Sequence, residues 1–437
     1  MATTRKPILI AGAGLASLLL AQSLRRASIP FIVYERDASI SFRGQGYRLR
    51  LSTEGLNAIE SALGPEQWKI FWDTCGKTGG GGFAQIDALT GQVVPPEEKK
   101  EEPKKEEPKK DDKPKLPKES LTSRDGKVIG ISRGDMRKIF MSGCEPFVQW
   151  SRQVTGYETT PSGVIATFAD GSKSEEGDML IGGEGIYSKV AKQLSDGKIK
   201  TFDTGARGIH GQAPAWAFKD LGEGVFRLTD ESDDKGRVSV ITNVRPGTLD
   251  DEQLGWTMVG PVGVIKAPND DYAITGKAAA EIARSLTAKW HPRVRSLFDN
   301  MNDEQAAFWK ITCSTPSGVP EWPNSPRVTV IGDAVHSMTP AGGIGANTAV
   351  RDSALLGKLI AEAGGFKVGI TAAYEKEMRI YGSEAVAKSY GTATGMMGIK
   401  LDENSPTIPP YLARVNYGTR VNRVAARLPR VLVILLN

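Results

Sequence analysis

Two short apolar runs flank a helical pattern at the start of the chain. Residues 7–12 (PILIAG) and 30–36 (PFIVYER) are rich in β-branched and aromatic side chains, and residues 14–28 carry apolar positions at helical spacing. This pattern predicts a strand–helix–strand unit of about 30 residues. Glycines interrupt the first run and a polar helix face follows it, which argues against a signal peptide. No apolar stretch reaches the ~20 residues of a membrane span.

The remaining pattern predicts a second region built mainly from strands. Residues 206–311 alternate apolar and polar positions around one helical stretch, which is typical of an antiparallel sheet. The other predicted elements are a strand and a helix capped by Ser52 or Thr53 in residues 44–64, a strand and a helix in 126–143, two strands and a helix from Ser188 in 163–190, a strand at Val328, and helices from Thr348 to the C-terminus.

Residues 95–119 differ in kind from the rest of the chain. Nearly every position is Lys, Glu, Asp or Pro, and Leu116 is the one apolar side chain after the segment's opening prolines. Such a composition predicts a solvated loop without a core of its own. The mixed signs of charge argue against an interaction arm, although that alternative stays open.

Composition narrows the function further. The net charge of +5 on 437 residues shows no clustering typical of nucleic-acid binding, and three histidines with three scattered cysteines offer no zinc motif. Few cysteines without a pairing pattern favour a reducing, cytoplasmic compartment. A chain of this length can bury a large core and is expected to hold two domains or one elaborated domain.

The first motif is residues 12–17 (GAGLAS), which follow the first predicted strand. Gly12 permits a tight turn, and Gly14 lets backbone amides approach a pyrophosphate at the positive end of the next helix. Ser17 replaces the third glycine of the usual pattern. Glu35 ends the next strand, where a carboxylate binds an adenosine ribose. Arg36 could face the adenine or the solvent.

The second motif is the stretch 328–352, VTVIGDAVHSMTPAGGIGANTAVRD. A strand ends in Gly332-Asp333, and a glycine-rich loop leads to a helix beginning near Asn347. The carboxylate can accept hydrogen bonds from sugar-like hydroxyls, and the helix N-terminus can stabilise negative charge on an electron-accepting ring. The two motifs together predict a flavin cofactor.

With these motifs, the chain resembles the FAD-dependent monooxygenases of the aromatic-hydroxylase type, which include salicylate- and 4-hydroxybenzoate-hydroxylase-like enzymes and fungal tailoring enzymes. The resemblance covers most of residues 7–365. The family's middle motif, GADG followed by a serine, matches residues 182–185 (GGEG) and Ser188, with Glu184 in place of the aspartate. Arg133 matches a flavin-contacting arginine before a helix, and Arg48 falls in the flavin-side loop.

The resemblance implies an α/β fold: a glutathione-reductase-like FAD-binding domain with an inserted antiparallel-sheet substrate domain and C-terminal helices. The predicted segments are 1–94, 120–200 and 326–365 for the FAD-binding domain, 95–119 for the charged loop, 201–325 for the substrate domain and 366–437 for the C-terminal helices. The residues expected to bind the cofactor are Gly12, Gly14, Ala16, Glu35, Arg36, Arg48, Arg133, Glu184, Asp333, Gly343, Gly345, Ala346 and Asn347.

The implied reaction uses NADPH or NADH to reduce FAD. The reduced flavin adds O2 to form a C4a-hydroperoxide, which transfers one oxygen atom to a small organic substrate. Epoxidation of an isoprenoid or alkaloid side chain, and flavin binding without turnover, are the alternatives. No acid–base constellation is evident. Pro340 and His336 are the candidates nearest the chemistry, and a structural role is favoured for His336.

Two further expectations concern surfaces. Trp216, Phe226, Trp256 and Met258 lie on strands of the second region and are candidates for a substrate pocket. The C-terminal stretch 411–437 spaces arginines among apolar residues, so it could lie on an anionic membrane, although packing on the protein is favoured.

Overall fold

The computed structural model describes residues 5–40, 48–78, 83–95, 124–222, 224–234, 236–242, 253–268 and 274–408. The charged segment, apart from its first residue, and the stretch 411–437 lie outside these ranges. The strands are β1 (Ile8–Ala11), β2 (Phe31–Tyr34), β3 (Arg48–Leu51), β4 (Gly76–Thr78), β5 (Phe83–Asp87), β6 (Val93–Val94), β7 (Val128–Ser132), β8 (Val148–Gln149), β9 (Val154–Thr159), β10 (Val164–Phe168), β11 (Met179–Gly182), β12 (Thr201–Pro214), β13 (Val225–Asp230), β14 (Val238–Thr242), β15 (Gln253–Gly260), β16 (Ala307–Ser314) and β17 (Val328–Val330).

The α-helices include every helix that the pattern predicted between residues 14 and 290. They are α1 (Leu15–Arg26), α2 (Thr53–Ala62), α3 (Pro65–Thr74), α4 (Arg133–Met141), α5 (Lys189–Leu194), α6 (Lys277–Leu286), α7 (Pro292–Asp299), α8 (Asp333–His336), α9 (Gly345–Glu362) and α10 (Ile370–Met397). Of the two candidate caps for α2, Ser52 is the one that acts, because its side chain accepts a hydrogen bond from the Gly55 amide.

A five-stranded parallel sheet organises one half of the molecule. Its order is β17-β11-β1-β2-β8, and the recorded pairings are all parallel. The strands are buried on both faces, as expected of a parallel sheet covered by helices. Helices α1 and α9 pack against each other, and α10 packs on α9. The carboxyl ends of β2, β1, β11 and β17 therefore meet at one edge of the sheet.

A seven-stranded sheet forms the other half, in the order β16-β12-β15-β14-β13-β5-β6. One face packs on α6 and α7 through a second core that contains Trp256, Trp290 and Phe298. Trp256 and Trp290 each meet the Phe298 ring edge-on, at centroid distances of 4.8 and 5.3 Å. The opposite face of this sheet lines a cavity. Two smaller antiparallel sheets, β3-β7-β4 and β10-β9, complete the strands.

The larger sheet differs from the expected antiparallel sheet. β5 pairs in parallel with β13, so residues 83–94, which the prediction placed in the first FAD-binding segment, belong to this sheet. The alternation of β5 marks it as a strand, but the partner is about 140 residues away in the chain. Pattern periodicity is local and carries no information about such a partner. The sheet is therefore mixed.

The C-terminal segment also departs from the helical expectation. After α10 the chain turns at residues 403–405, and Thr407 then forms a bridge with Phe202 of β12. The amides of Asp203 and Ile408 donate to the carbonyls of Pro406 and Thr201. Gly398 ends α10 in the left-handed conformation (φ +62°), and Pro406 lacks the amide hydrogen that a helix interior requires. Helices thus occupy only part of residues 366–408.

Candidate functional site

One cavity of about 1280 Å³ lies between the two large sheets. It opens at the carboxyl ends of the parallel strands, the edge at which doubly wound proteins bind nucleotides. Gly12 and Gly14 follow β1, Glu35 follows β2, Glu184 follows β11 and Asp333 follows β17, and all five line the cavity. The two motifs that are separated by more than 300 residues in the sequence therefore face one space.

The turn after β1 has no room for a side chain at Gly12. This residue has φ of +86°, and a Cβ there would lie 2.6 Å from the carbonyl oxygen of Gly183. Gly14 caps α1 in an extended conformation without a side-chain cap, so the first amides of the helix are directed toward the cavity. Ala16 lines the cavity beside them. This arrangement suits a pyrophosphate at a helix N-terminus.

Glu35 holds the turn in place. Its carboxylate accepts hydrogen bonds from the amides of Ala13 (2.7 Å) and Asp37 (2.9 Å). An ionised carboxylate has about four acceptor sites, so it can still accept a bond from a ribose hydroxyl. Arg36 also lines the cavity, with its Nε 4.0 Å from Asp37 Oδ1.

Arg137 is a site residue that sequence reasoning missed. It is buried, its Nε donates to the Ala13 carbonyl (2.9 Å), and its Nη2 lies 3.8 Å from Glu35 Oε2. A signal was present, because Arg137 follows the predicted Arg133 by four residues and so shares its helix face. Both arginines line the cavity. Ser132 caps this helix by accepting from the Asp135 amide at 3.0 Å.

Asp333 presents its carboxylate to the cavity from within the protein. The cavity leaves the Asp333 side chain accessible. The protein packed around it nevertheless desolvates the carboxylate and raises its pKa, against the lowering effect of His336 and Arg133. The preceding Gly332 has φ of +62°, and its amide donates to Asp352 Oδ2 at 2.6 Å. Asp352 thus holds the turn through its backbone. The Asp333 carboxylate can then accept hydrogen bonds from the hydroxyl groups of a ligand.

His336 belongs to the support of this turn and does not line the cavity. The ring is 1% exposed, and its Nε2 lies 2.8 Å from Asp352 Oδ2. Burial lowers the pKa of His336, but Asp352 and Asp333 outweigh it and the pKa is raised. Tyr381 donates to the second oxygen of Asp352 at 2.6 Å. The favoured structural role of His336 agrees with this geometry, whereas Pro340 does line the cavity.

The glycine-rich loop contributes backbone to the cavity wall. Gly343, Gly345 and Ala346 line the cavity, and α9 begins at Gly345. Asn347 lies behind them. Its side-chain NH2 group donates to the carbonyls of Arg50 (2.9 Å) and Gly343 (3.1 Å), and its side-chain oxygen accepts from the backbone amide of Ser52 (2.9 Å). Asn347 therefore ties the loop to β3 and α2 and is not among the lining residues.

Glu184 lines the cavity, but its carboxylate oxygens accept hydrogen bonds from the N-terminal end of α5. Oε2 accepts from the Ser188 hydroxyl (2.8 Å), and Oε1 accepts from the amides of Lys189 (3.2 Å) and Val190 (3.1 Å). Burial raises the pKa of Glu184, against these hydrogen bonds. The longer side chain thus reaches a helix N-terminus. The side chain of Arg48 lies outside the described residues, although its backbone begins β3.

The four expected pocket residues lie elsewhere. Trp216 is 46% exposed at the surface, and Phe226, Trp256 and Met258 are in the core beneath α6 and α7. Trp216 lies in a 3-10 helix (Ala215–Leu221) and not on a strand as expected. The other three residues lie on strands, where successive side chains point to opposite faces, so their neighbours reach the cavity instead. The cavity face of the larger sheet includes Val225, Arg227, Ile241, Thr257, Val259, His210 and Trp309.

His210 is the histidine that reaches the cavity. Its ring stacks on Trp309 with centroids 4.5 Å apart and planes at 14°, and its Nδ1 lies 3.1 Å from Thr257 Oγ1. Burial lowers the pKa of His210 to about 3, so the ring is neutral near pH 7. Across the described ranges, no group of three His, Cys, Asp or Glu side chains could hold a metal ion.

Comparison with known proteins agrees with this geometry. The family model described as FAD binding domain matches residues 141–389, more than half of the chain. The chain belongs to this family. The matched region contains the Glu184 and Asp333 motifs, and the Gly12 motif precedes it. The relatives found in this FAD-binding family include fungal FAD-dependent monooxygenases.

One such relative is the dual O-methyltransferase/FAD-dependent monooxygenase elcB of Phaeosphaeria nodorum, which is 31% identical over 401 residues, or 81% of this chain and 40% of the relative. The chain spans about two fifths to one half of the length of the first three curated relatives it matches. FAD-dependent monooxygenase thnD of Trichoderma harzianum is 26% identical over 81% of this chain and 82% of its own length.

The fold is shared with solved structures. HpxO of Klebsiella pneumoniae, complexed with FAD and uric acid, superposes with a TM-score of 0.66 at 19% identity, covering 89% of this chain and 88% of HpxO. This likeness shows that the chain shares the α/β fold of HpxO. In the described part of the chain, the helices lack the length and apolar content that a bilayer crossing requires.

Proposed function

We propose that this chain is a flavin-dependent monooxygenase that inserts one oxygen atom of O2 into a small aromatic or secondary-metabolite substrate, with NADPH or NADH as reductant. The observation that carries the proposal is a cavity lined both by the two glycine motifs and by one face of the larger sheet. The names of the fungal relatives support the same reaction class.

The residues fit FAD by their chemistry. The α1 N-terminus with Gly12 and Gly14 suits the pyrophosphate, Glu35 suits a ribose, and Asp333 suits the ribityl hydroxyls. The loop from Gly343 to Ala346 would pass beneath the flavin ring, with the α9 dipole favouring negative charge there. When bound, FAD would supply the electron transfer and oxygen chemistry. The protein would orient both molecules and exclude water from the cavity.

The domain organisation follows from this function. We infer a glutathione-reductase-like FAD-binding domain assembled from the segments 1–94, 120–200 and 326–365, with β5 and β6 joining the sheet of the 201–325 substrate segment. The family resemblance implies that the nicotinamide cofactor reduces FAD without a second dinucleotide-binding domain, so we expect it to reach the flavin through the same cavity. Residues 366–408 complete the assembly through α10 and the bridge between Thr407 and Phe202 of β12.

The proposal is tested on purified protein. We expect a yellow protein with a bound flavin, NADPH or NADH oxidation that aromatic ligands stimulate, and one ¹⁸O atom in the product after reaction under ¹⁸O2. A product epoxide would instead identify the epoxidase alternative. A flavin-loaded protein that consumes no reduced nicotinamide with any phenolic ligand tested would contradict the proposal and leave flavin binding without turnover.

A further inference from the structure

Four cavity-lining residues form one row across the larger sheet. His210 on β12 is paired with Thr257 on β15, Thr257 with Ile241 on β14, and Ile241 with Arg227 on β13. All four line the cavity. Paired residues of neighbouring strands lie side by side on the same face, so the row is a continuous surface, here called the platform. Three interstrand spacings make its Cα span roughly 14 Å.

The His210 end of the platform is flat and neutral. The imidazole is stacked on the Trp309 indole and is in hydrogen-bond contact with the Thr257 hydroxyl. A hydroxyl can donate or accept, so this pair can adjust the tautomer of the ring to either kind of polar group on a ligand. Because burial keeps His210 uncharged, this end suits a neutral polar group such as a phenolic hydroxyl.

The Arg227 end is positively charged. Its Nη2 contacts the Met396 sulfur at 3.7 Å, and burial together with the nearby Arg237 lowers the pKa of Arg227. A guanidinium nevertheless stays protonated in proteins, so this end carries the positive charge of Arg227. Arg237 pairs with Glu231 at 3.3 Å, and Arg227 lines the cavity. An anionic group is favoured here, and its hydrogen bonds would be charge-assisted.

The platform is apolar at Ile241. Ile241 lies between the two polar ends, and Val259 and Met397 line the cavity nearby. Arg227 and His210 have long side chains, so their polar atoms can approach a ligand that is shorter than the Cα span. A planar ligand of two or three fused rings could therefore contact both ends, whereas a single ring could not reach from one to the other.

We propose that the platform selects the substrate: a planar acid of at least two fused aromatic rings, with its anionic group at Arg227 and a hydroxyl at His210. This inference rests on the proposed function, because it names the substrate class of the same cavity. It makes Arg227 and His210 specificity-determining residues that touch the substrate, and it assigns Thr257 to positioning the imidazole.

The test compares three probes that differ by one group. They are 6-hydroxy-2-naphthoic acid, 2-naphthoic acid, which lacks the hydroxyl, and 2-naphthol, which lacks the carboxylate. Their dissociation constants are measured with FAD-saturated protein by isothermal titration calorimetry without reduced nicotinamide. We expect 6-hydroxy-2-naphthoate to bind about tenfold tighter than either of the others, since each lost contact is a hydrogen bond to the platform.

Two variants test which group of the ligand each end of the platform binds. Arg227→Gln is expected to weaken both naphthoates by about tenfold or more and to change 2-naphthol less than about threefold. His210→Phe keeps a ring against Trp309 and should weaken the two hydroxylated probes by about fivefold, with little effect on 2-naphthoate. Arg295→Gln removes an arginine from the surface of α7 and is the matched control, with unchanged binding of all three probes.

The outcomes separate the two proposals. Equal affinity of the wild type for the three probes, absence of binding, or an Arg227→Gln effect shared by 2-naphthol would overturn the platform. The wild-type ranking stands as a test even if a variant fails to fold. If the protein shows the expected ranking but never oxidises NADPH or NADH, the platform is supported and the proposed function is contradicted. If the protein turns over without this ranking, the proposed function is supported and the platform is contradicted.

Discussion

At the scale of single residues, Ser17 illustrates how one departure from a motif is accommodated. Its side chain is fully buried, and its hydroxyl has no hydrogen-bond partner among the described residues. The space that it needs comes from Gly183 on the neighbouring strand end, where an added Cβ would collide with Ser17 Oγ. In the family pattern the corresponding residues are glycine and alanine, so the two differences compensate each other.

This coupling predicts the result of a double-mutant cycle. Gly183→Ala should lower the free energy of unfolding by about 1–3 kcal/mol, because the added methyl group overpacks a filled space. Ser17→Ala should be neutral or stabilising, since it removes an unpaired buried hydroxyl and improves helix propensity. The double variant should recover most of the loss. Urea unfolding measures all four proteins, and strictly additive effects would disprove the compensation.

Asp352 is the second residue with an outcome that can be predicted. It accepts bonds from the Gly332 amide, from His336 and from Tyr381, and it is 0% exposed. Asp352→Asn replaces one acceptor oxygen with an NH2 donor, so at least one of these donors then faces another donor. We expect a loss of roughly 2–4 kcal/mol in unfolding free energy and weaker flavin retention, because the Asp333 turn is no longer held.

Tyr381→Phe is the matched control, since it removes one of these bonds and leaves the Gly332 amide paired. Its cost should be about 1–2 kcal/mol, with flavin retention close to wild type. Urea unfolding and flavin absorbance after gel filtration measure both quantities. Unaltered flavin content in Asp352→Asn would show that the turn does not depend on this carboxylate.

At the scale of elements, alternate residues of β15 serve different roles: one set packs in the core and the other lines the cavity. Met258 is 0% exposed in the core beneath α6 and α7, whereas Thr257 lines the cavity beside His210. Met258→Ala should cost about 2–5 kcal/mol through the cavity it leaves. Thr257→Val keeps the shape, should change stability by less than about 1 kcal/mol, and should weaken ligands that bond His210. Urea unfolding and probe binding test the pair, and a reversed pattern would contradict the register.

The same alternation explains why the sequence did not identify the pocket residues. Trp256 and Phe226 are large and apolar, and each lies on a correctly predicted strand. One face of this sheet packs against helices and the other lines the cavity, and apolar residues occur on both faces. A pattern of period two divides the strand into two sets of residues, but it does not say which set faces the helices.

At the scale of the whole molecule, buried acids predict how stability changes at alkaline pH. Burial raises the pKa of Tyr34, Cys144 and Cys313 to about 12, from ordinary values of 10, 9 and 9. Between about pH 9 and 12 the unfolded chain has lost protons that the folded chain keeps. The free energy of unfolding therefore falls as the pH rises, by at most about 1.4 kcal/mol per pH unit for each group.

Urea unfolding between pH 8 and 10.5 measures this trend, and we expect the midpoint to decrease above pH 9. Cys144→Ala removes one of the three groups and should make the decrease shallower. The folded protein should also resist alkylation of Cys144 and Cys313 at pH 8, because the thiolate is the reactive form. A midpoint that stays constant over this range, or rapid alkylation, would contradict the burial of these groups.

The sequence by itself determined the local structures and the cofactor class. Strand ends, helix caps and glycine turns are set by neighbouring residues, so Gly12, Glu35, Ser52 and Asp333 could be predicted from their immediate surroundings. The family follows from the same motifs. Each of these features depends on a few consecutive positions, where backbone conformation and side-chain chemistry are fixed by short-range geometry.

Only the tertiary structure decided which partners those positions meet. The pairing of β5 with β13, the placement of Asn347 behind the glycine loop, the contact of Ser17 with Gly183 and the direction in which His210 faces all join distant parts of the chain. Parallel strand order brings the motifs to one edge, and strand register sets the cavity wall. Both are set by packing between segments far apart in the chain, which no local pattern records.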